Sequence, residues 1–313
     1  MNSCKVIGGF FELDLPDLGF RHHPNALALS NGRSCIKYVL NTESPNKVYL
    51  PTYTCSSVIS AIKSTKIPIK FYDVDEKLDF QIPKIDKNDL LIVINYFGLH
   101  EDKIKLANKM YQNRLLVDNT HSYFRGGYND SYFLTSARKH FGIPDGAFLY
   151  SPSFNDSSIC RSKNVSLDHS VLRFNGNLRD AYLKYKEEEE KITTDILGMS
   201  NISRALLRNI SFIESAKKRF SNYQIIHQHL SKYNVLKFSH KSPPIFYPLL
   251  LNKKINKSKF HSQGIFIPTI WPESHHPINK MIGDKLLPIP IDHRYDHNDM
   301  IRIIKSIKKE LDA

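Results

Sequence analysis

Long apolar runs are missing from this 313-residue chain. The longest, such as Leu90 to Ile94 and Pro248 to Leu251, fall far short of the roughly 18 to 20 residues that cross a bilayer, so neither a spanning helix nor a membrane partner is expected. The first sixteen residues, MNSCKVIGGFFELDLP, place two acids and a proline where a signal peptide needs an apolar core and a transit peptide needs arginine without acid. A cytosolic location is the expectation. Cysteine is scarce and scattered: Cys4, Cys35, Cys55 and Cys160 form no C-x-x-C pair. That spacing suggests neither a zinc site nor a disulfide framework, and no metal is expected. Low-complexity stretches and internal repeats are also absent, which argues against a solenoid or an array.

What remains is a chain with 41% hydrophobic and 24% charged residues, long enough for one large or two modest domains. Its 44 Lys+Arg against 31 Asp+Glu give +13. Such an excess admits nucleic acid, an acidic surface or a phosphorylated ligand as partners. Nucleic acid fits poorly, because the lysines are spread over most of the chain. Their densest group (Lys253, Lys254, Lys257, Lys259) marks one helix start, and no finger, helix-turn-helix or RNA-recognition signature is present. No nucleic-acid partner is expected.

The first two thirds alternate in type. Residues 47–51 (KVYLP), 67–71 (IPIKF), 90–95 (LLIVIN) and 114–118 (RLLVD) read as buried strands, with helices over 56–64 and 101–112 between them. This rhythm predicts an α/β fold with a mainly parallel sheet covered by helices. After about residue 175 the pattern changes. Residues 178–192 and 210–232 read as long charged helices, and the run Glu187 to Glu190 reads as a solvated helix face. Segments 245–251 and 264–268, a helix near 255–263 and a final amphipathic helix over 298–311 complete a small α+β unit. The division falls in the stretch 200–235, giving a large α/β domain over 1–205 and a small C-terminal α+β domain over 206–313.

Three segments lie at strand ends or helix starts, where open α/β sheets gather ligands. The first, Ser30-Asn31-Gly32-Arg33-Ser34, puts a glycine, an arginine and a hydroxyl at a helix start. There, exposed amides and the helix dipole favour an anion, although an ordinary capped helix has the same look. In the second, Leu115 to Ser122, Asp118 ends an apolar strand and can hold a cationic nitrogen, and His121 can stack on or hydrogen-bond a planar ligand. The third runs from Phe133 to Ala147 and sets Lys139 among apolar and aromatic residues beside Arg138. A neighbouring cation and partial burial lower a lysine pKa and raise the neutral fraction that attacks an aldehyde. An anion seat, an acid and a reactive lysine in this order match the needs of a pyridoxal phosphate site.

In order, LSNGRSCIKYVL, VYLPTYTCSSVISAI with IPIKFYDVD, INYFGL, LLVDNTHSYF, SARKHFGIPDGAFLY, GIFIPTIWP and LPIPIDHRYDHNDM resemble the sugar aminotransferases of the DegT/DnrJ/EryC1/StrS group, a branch of the fold type I pyridoxal-phosphate enzymes. The match spans residues 29–304. The resemblance implies a Schiff base between Lys139 and pyridoxal 5'-phosphate, with Lys139 then shuttling the proton. It implies that Asp118 protonates the pyridine nitrogen and that His121 lies against the cofactor. Gly32, Arg33 and Ser34, helped by Ser136, would hold the phosphate. Cys55 falls at the ring-stacking position, which is commonly aromatic, and Tyr53 is a nearby substitute. A homodimer is implied too, with Ser200 and Asn201 in the stretch through which a second subunit completes the site.

The implied reaction moves an amino group from an amino acid, glutamate in the first instance, to a nucleotide-linked keto-sugar for polysaccharide or glycoside biosynthesis. Because a lysine stands at position 139, where related dehydratases carry histidine, transamination is favoured over a lyase or dehydratase-like step. Two departures from the group stand out: the chain is shorter than typical members, and Asp145-Gly146-Ala147 replaces the usual Glu-Gly-Gly. Both bear on regions that frame the substrate, and the shorter chain together with Cys55 keeps a non-catalytic descendant as the alternative of a different class.

Overall fold

A computed structural model describes residues 9–127, 130–152, 159–272 and 276–312; Cys4 and the rest of the first eight residues lie outside them. In chain order the elements are β1 (Leu27–Leu29), α1 (Gly32–Glu43), β2 (Val48–Pro51), α2 (Ser56–Lys63), β3 (Ile69–Tyr72), β4 (Leu90–Ile94), α3 (Glu101–Tyr111), β5 (Leu115–Asp118), β6 (Tyr132–Ser136) and β7 (Ala147–Tyr150). Then come α4 (Asp168–Phe174), α5 (Leu178–Glu190), α6 (Asn201–Leu207), α7 (Phe212–Leu230), β8 (Phe246–Leu250), α8 (Ser258–His261), α9 (Pro277–Lys285), β9 (Leu286–Pro290) and α10 (His297–Asp312).

Seven strands form one sheet in the order β1-β7-β6-β5-β4-β2-β3, with β7 antiparallel to both neighbours and the other pairings parallel. Every residue of β4 and β6 is buried. A sheet covered on both faces has no solvent side to mark with polar residues, which is why these strands read as continuous apolar runs. The pleat sorts the side chains. Leu91, Val93, Leu115, Val117 and Phe133 join one core with Ile104, Ala107 and Tyr111 of α3. Leu90, Ile92, Leu116, Tyr132 and Leu134 join another with Ile36, Val39 and Leu40 of α1 and Val58, Ala61 and Ile62 of α2.

The smaller unit is an antiparallel pair, β8 and β9, covered by α7 and α10. On α10, Met300, Ile303, Ile304 and Ile307 follow the i, i+3, i+4, i+7 spacing of a helix lying on a core. The segment 264–268, expected as part of this unit, is irregular, though Ile265 and Ile267 are buried, and the partner of β8 is the proline-bearing β9. Pro248 and Pro288 stand directly opposite one another. In an antiparallel pair, alternate residues send their N–H and C=O groups outward, so two prolines can face each other without breaking a ladder bond. The outward Pro248 carbonyl accepts from Asn234 Nδ2 at 2.7 Å, and Asn234 Oδ1 accepts from the amides of Leu236 and Leu250. The helix expected over 255–263 shrinks to α8.

The acidic run 187–190 is not a uniform solvated face. Glu187 pairs with Lys184 and the exposed Lys191. Glu188, however, bonds Ser166 and His169, and Glu189 pairs with Arg138, beside the lysine of interest. No helix among the described residues is long and apolar enough to cross a membrane.

Candidate active site

β2, β4, β5, β6 and β1 all point their carboxyl ends to the same rim, so Cys55, Asn95, Asp118, Lys139 and Gly32 follow strands that stop side by side. Two buried amides lock this rim. Asn95 Nδ2 donates to Asn119 Oδ1 at 2.7 Å, and Asn119 Nδ2 donates to the Ser122 carbonyl at 2.8 Å. The Asn95 amide donates to the Asp118 carbonyl and the Asn119 amide to the Leu134 carbonyl, so β4, β5 and β6 remain tied beyond their last paired residues.

Lys139 ends a short helical turn after β6. The residue is exposed at the surface, although many protein atoms lie close around it. Burial, then the fields of Arg138 and Arg33, lower its ammonium pKa to about 8, while the Cys55 sulfur works the other way. The same charges place Arg138, Arg33 and Cys55 close to Lys139, and the space beside these four residues is the lysine recess. Asp118 is half-buried, and its Oδ1 accepts from the Thr120 amide at 3.0 Å. Burial raises its pKa, and the bonds from Thr120 only partly oppose this. A desolvated carboxylate of this kind is stabilised by a cation or an N–H placed against it. His121 is neutral, its pKa pressed to about 3 by burial and by Lys139. Its Nδ1 lies 3.4 Å from the Phe97 amide, and its ring stacks on Trp271 at 5.4 Å and 19°.

The remaining candidates divide. Gly32 has open space where a side chain would be, with its nearest neighbour, Leu134, at 3.9 Å, so a ligand can approach its backbone. Arg33 is half-exposed beside Cys55. Ser34 is already committed: its amide donates to the Asn31 cap at 3.0 Å, and its fully buried hydroxyl donates to the Asp195 carbonyl at 2.5 Å. That is the ordinary capped helix, and it leaves the anion cradle to Gly32 and Arg33. Ser136 is buried and donates to the Gly146 carbonyl at 3.4 Å. Cys55 is half-buried and accepts from Ser57 Oγ at 3.0 Å. Tyr53 is fully buried; its hydroxyl bonds the Ile270 carbonyl and its ring packs on Trp271 at 4.7 Å, so it does not face the recess as a stacking surface. Ser200 is buried as the cap of α6, whereas Asn201 is exposed and accepts from Arg161.

Asp145 has a role that the motif did not reveal. Its carboxylate accepts from the Ser200 amide at 3.0 Å, from the Ser200 hydroxyl at 2.6 Å and from the Ser203 hydroxyl. Gly146 follows at φ +136°, where a side chain would strike Met199, and its amide donates to the Ser30 carbonyl at 2.6 Å. The Gly146 carbonyl in turn accepts from the Arg138 amide at 3.3 Å. The turn that carries Lys139 is thus bolted to α6 and to the start of α1.

Two further residues come from far along the chain. Arg219 of α7 is almost wholly buried and donates to the His140 carbonyl at 2.7 Å, with burial lowering its pKa to about 10. One turn on, Asn222 Nδ2 donates to the carbonyls of Asp292 and Tyr295, so one helix grips both the lysine turn and the small unit. Trp271, at φ +49°, completes the aromatic wall with His121, Tyr53 and Tyr96. A lone tryptophan before a proline was the only sequence signal for it; Arg219 left none.

No family model matches the sequence, and a search of the curated proteins finds no match. Solved structures do. A DegT DnrJ EryC1 StrS aminotransferase from Brucella abortus superposes at TM-score 0.61 with 14% identity, covering 91% of this chain and 85% of its own. The fold is that of the aminotransferases. The sugar aminotransferase CalS13 from Micromonospora echinospora matches at 0.62 and 14% identity, over 92% of this chain and 88% of its own. NtdA from Bacillus subtilis, solved with its cofactor PMP bound, matches at 0.59 and 12% identity, over 92% and 73%.

Proposed function

We propose that this protein is a pyridoxal-phosphate-dependent aminotransferase acting on a keto-sugar. The observation that carries the reading is the juxtaposition at one sheet rim of Lys139, open to the recess with a pKa of about 8, and the desolvated Asp118, on a fold shared with sugar aminotransferases. The residues fit the cofactor. Asp118 offers a carboxylate that lacks a cation, Gly32 leaves its backbone open beside Arg33, and Lys139 supplies the amine. When bound, pyridoxal phosphate supplies a carbonyl that condenses with amines and a ring that stores the electron pair of a broken C–H bond.

Asp118 would hold a proton on the ring nitrogen, which its desolvated carboxylate favours. Gly32 and Arg33 would orient the phosphate. His121, neutral and fixed by Trp271, presents a ring edge without adding charge. Lys139 Nζ, whose pKa is lowered by its surroundings and by Arg138, would take and return a proton at the reacting carbon. Arg138 favours the neutral amine, and Arg219 holds the His140 carbonyl, next to Lys139 in the chain.

In this reading glutamate is the amino donor, the acceptor keto-sugar is linked to a nucleotide, and the enzyme works in the cytosol as a homodimer. The paired helices α4 and α5 expose Val171, Phe174, Leu178, Tyr182 and Leu183, which suits contact with a second copy. The large domain ends near residue 205, consistent with a separate core that runs from Tyr223 to Ile307. Purified protein given pyridoxal phosphate is expected to gain a visible absorbance band that Lys139→Ala lacks; an identical spectrum in the variant overturns the assignment. Transfer of ¹⁵N from labelled glutamate to a nucleotide-linked keto-sugar separates transamination from a lyase or dehydratase-like step.

A further inference from the structure

The loop that carries Asp118 and the turn that carries Lys139 leave the sheet on neighbouring strands. Asp118 and Leu134 are the last paired residues of β5 and β6, so the ladder ends before the lysine turn at 137–139 begins. A side chain joins the two segments past that point. His140, the residue after Lys139, is 4% exposed, and its Nε2 lies 2.9 Å from the Thr120 carbonyl. The Thr120 amide donates in turn to Asp118 Oδ1 at 3.0 Å.

The imidazole has one way to make this bond. A carbonyl accepts and cannot donate, so Nε2 carries the proton and Nδ1 is left as an acceptor. Burial, with the charge of Arg219 adding to it, holds the ring neutral. Nδ1 meets no hydrogen-bond partner among the described residues. An unpartnered buried acceptor is costly, and a phenyl ring of similar shape would avoid that cost. What a phenyl ring lacks is the N–H aimed at Thr120.

Three contacts fix where that N–H points. The His140 amide donates to the Ala137 carbonyl at 2.9 Å, and the His140 carbonyl accepts from Arg219 Nη2 at 2.7 Å. The ring stacks on Tyr123 at 4.8 Å and 30°. Tyr123 is fully buried, and its hydroxyl lies 2.9 Å from His22 Nδ1, while His22 Nε2 lies 2.8 Å from the Ile210 carbonyl. His22 Nε2 therefore donates to that carbonyl, and Nδ1 accepts from the tyrosine. The stacking partner of His140 is thus anchored at its far end.

We propose that His140 is a positioning residue, whose Nε2–H sets the place of Asp118 against the cofactor's ring nitrogen by holding the Thr120 carbonyl. The inference rests on the cofactor reading above and adds to it a residue that acts through Thr120 and Asp118. Lys139 and Asp118 then keep a fixed relation, because one residue step separates Lys139 from the ring that grips the Thr120 loop.

Two substitutions separate the bond from the packing. His140→Gln keeps an N–H at the reach of Nε2 and loses the ring; His140→Phe keeps a ring on Tyr123 and loses the N–H. Each full chain is loaded with pyridoxal phosphate carrying ¹⁵N in its ring, and the ring-nitrogen chemical shift and the dissociation constant are measured. The parent and His140→Gln are expected to show the shift of a protonated nitrogen. His140→Phe is expected to move towards the unprotonated value and to bind the cofactor about fivefold more weakly, the worth of one ordinary hydrogen bond. A role in packing alone predicts the reverse order. His140→Gln no better than His140→Phe, whether both are impaired or neither is, overturns the inference and leaves the cofactor reading standing. A parent that takes up no pyridoxal phosphate overturns both. A second readout stands even where His140→Phe does not fold: in the cofactor-free parent labelled with ¹⁵N-histidine, His140, assigned by its absence from His140→Gln, should appear as the Nε2–H tautomer. An Nδ1–H tautomer or an imidazolium there overturns the inference.

Discussion

Replacing Asp145 with alanine tests how the lysine turn is held. The buried carboxylate receives three donors: the Ser200 amide, the Ser200 hydroxyl and the Ser203 hydroxyl. A hydrogen bond to a charged group contributes about 1.5–3 kcal/mol, but the three are not additive here. The hydroxyls can rotate, and Ser200 Oγ already accepts from the Ser203 amide at 3.3 Å. The irreducible loss is the Ser200 amide, left buried without an acceptor, together with the space vacated by the carboxylate. That amounts to about 2–4 kcal/mol. Asp145→Asn keeps one carbonyl oxygen and should recover about half of it. The assay is urea denaturation followed by circular dichroism, with the dissociation constant of pyridoxal phosphate measured on the same samples. Because Asp145 precedes Gly146, whose carbonyl holds the Arg138 amide, cofactor affinity should fall together with stability. An alanine variant within about 0.5 kcal/mol of the parent, with unchanged cofactor affinity, would refute the reasoning.

Four other outcomes follow from the same geometry. The rate at which cofactor-free protein captures pyridoxal phosphate should climb roughly tenfold per pH unit well below pH 8 and level off above it, since attack needs neutral Lys139; stopped-flow absorbance across pH 6–10 checks this, and a flat profile contradicts it. The same depressed pKa makes the unfolded chain the better proton binder between about pH 8 and the ordinary lysine value, so Lys139 makes stability rise with pH in that window, and Lys139→Met should flatten this part of a denaturation profile. Asp118→Asn should retain cofactor but lose most turnover in the ¹⁵N-transfer assay, because an unprotonated ring is a poorer electron store. On the proposed homodimer reading, exchanging Phe174 and Leu183 for glutamate on the exposed face of α4 and α5 should lower the sedimentation mass to that of a monomer with little change in circular dichroism, and a parent chain that sediments as a monomer contradicts the reading.

The sequence showed most plainly those parts of the fold whose cause is local. β2, β4, β5, α3 and α7 appear within a residue or two of their expected bounds, because a strand buried on both faces or a helix of regular period writes itself into consecutive residues. β9 was hidden for the opposite reason. Its prolines forbid a strand unless another chain segment opposes them in the right phase, and Pro248 lies 40 residues upstream of Pro288. The recess follows the same division. Lys139, Asp118 and Cys55 stand out because strand ends and helix starts announce themselves, whereas the burial of Ser34 and Tyr53 depends on Asp195 and Trp271, which local sequence does not bring near. Glu189 looked solvated because its partner, Arg138, lies some fifty residues earlier.

Trp271 is the chain's single tryptophan, and it lies flat against His121 while touching Tyr53 and Tyr96. All indole emission from this protein therefore originates at one point, against the ring of His121. Any molecule that displaces His121, absorbs in the near ultraviolet beside it or excludes water from it changes that emission without a label. The protein thus carries its own optical gauge of events at His121.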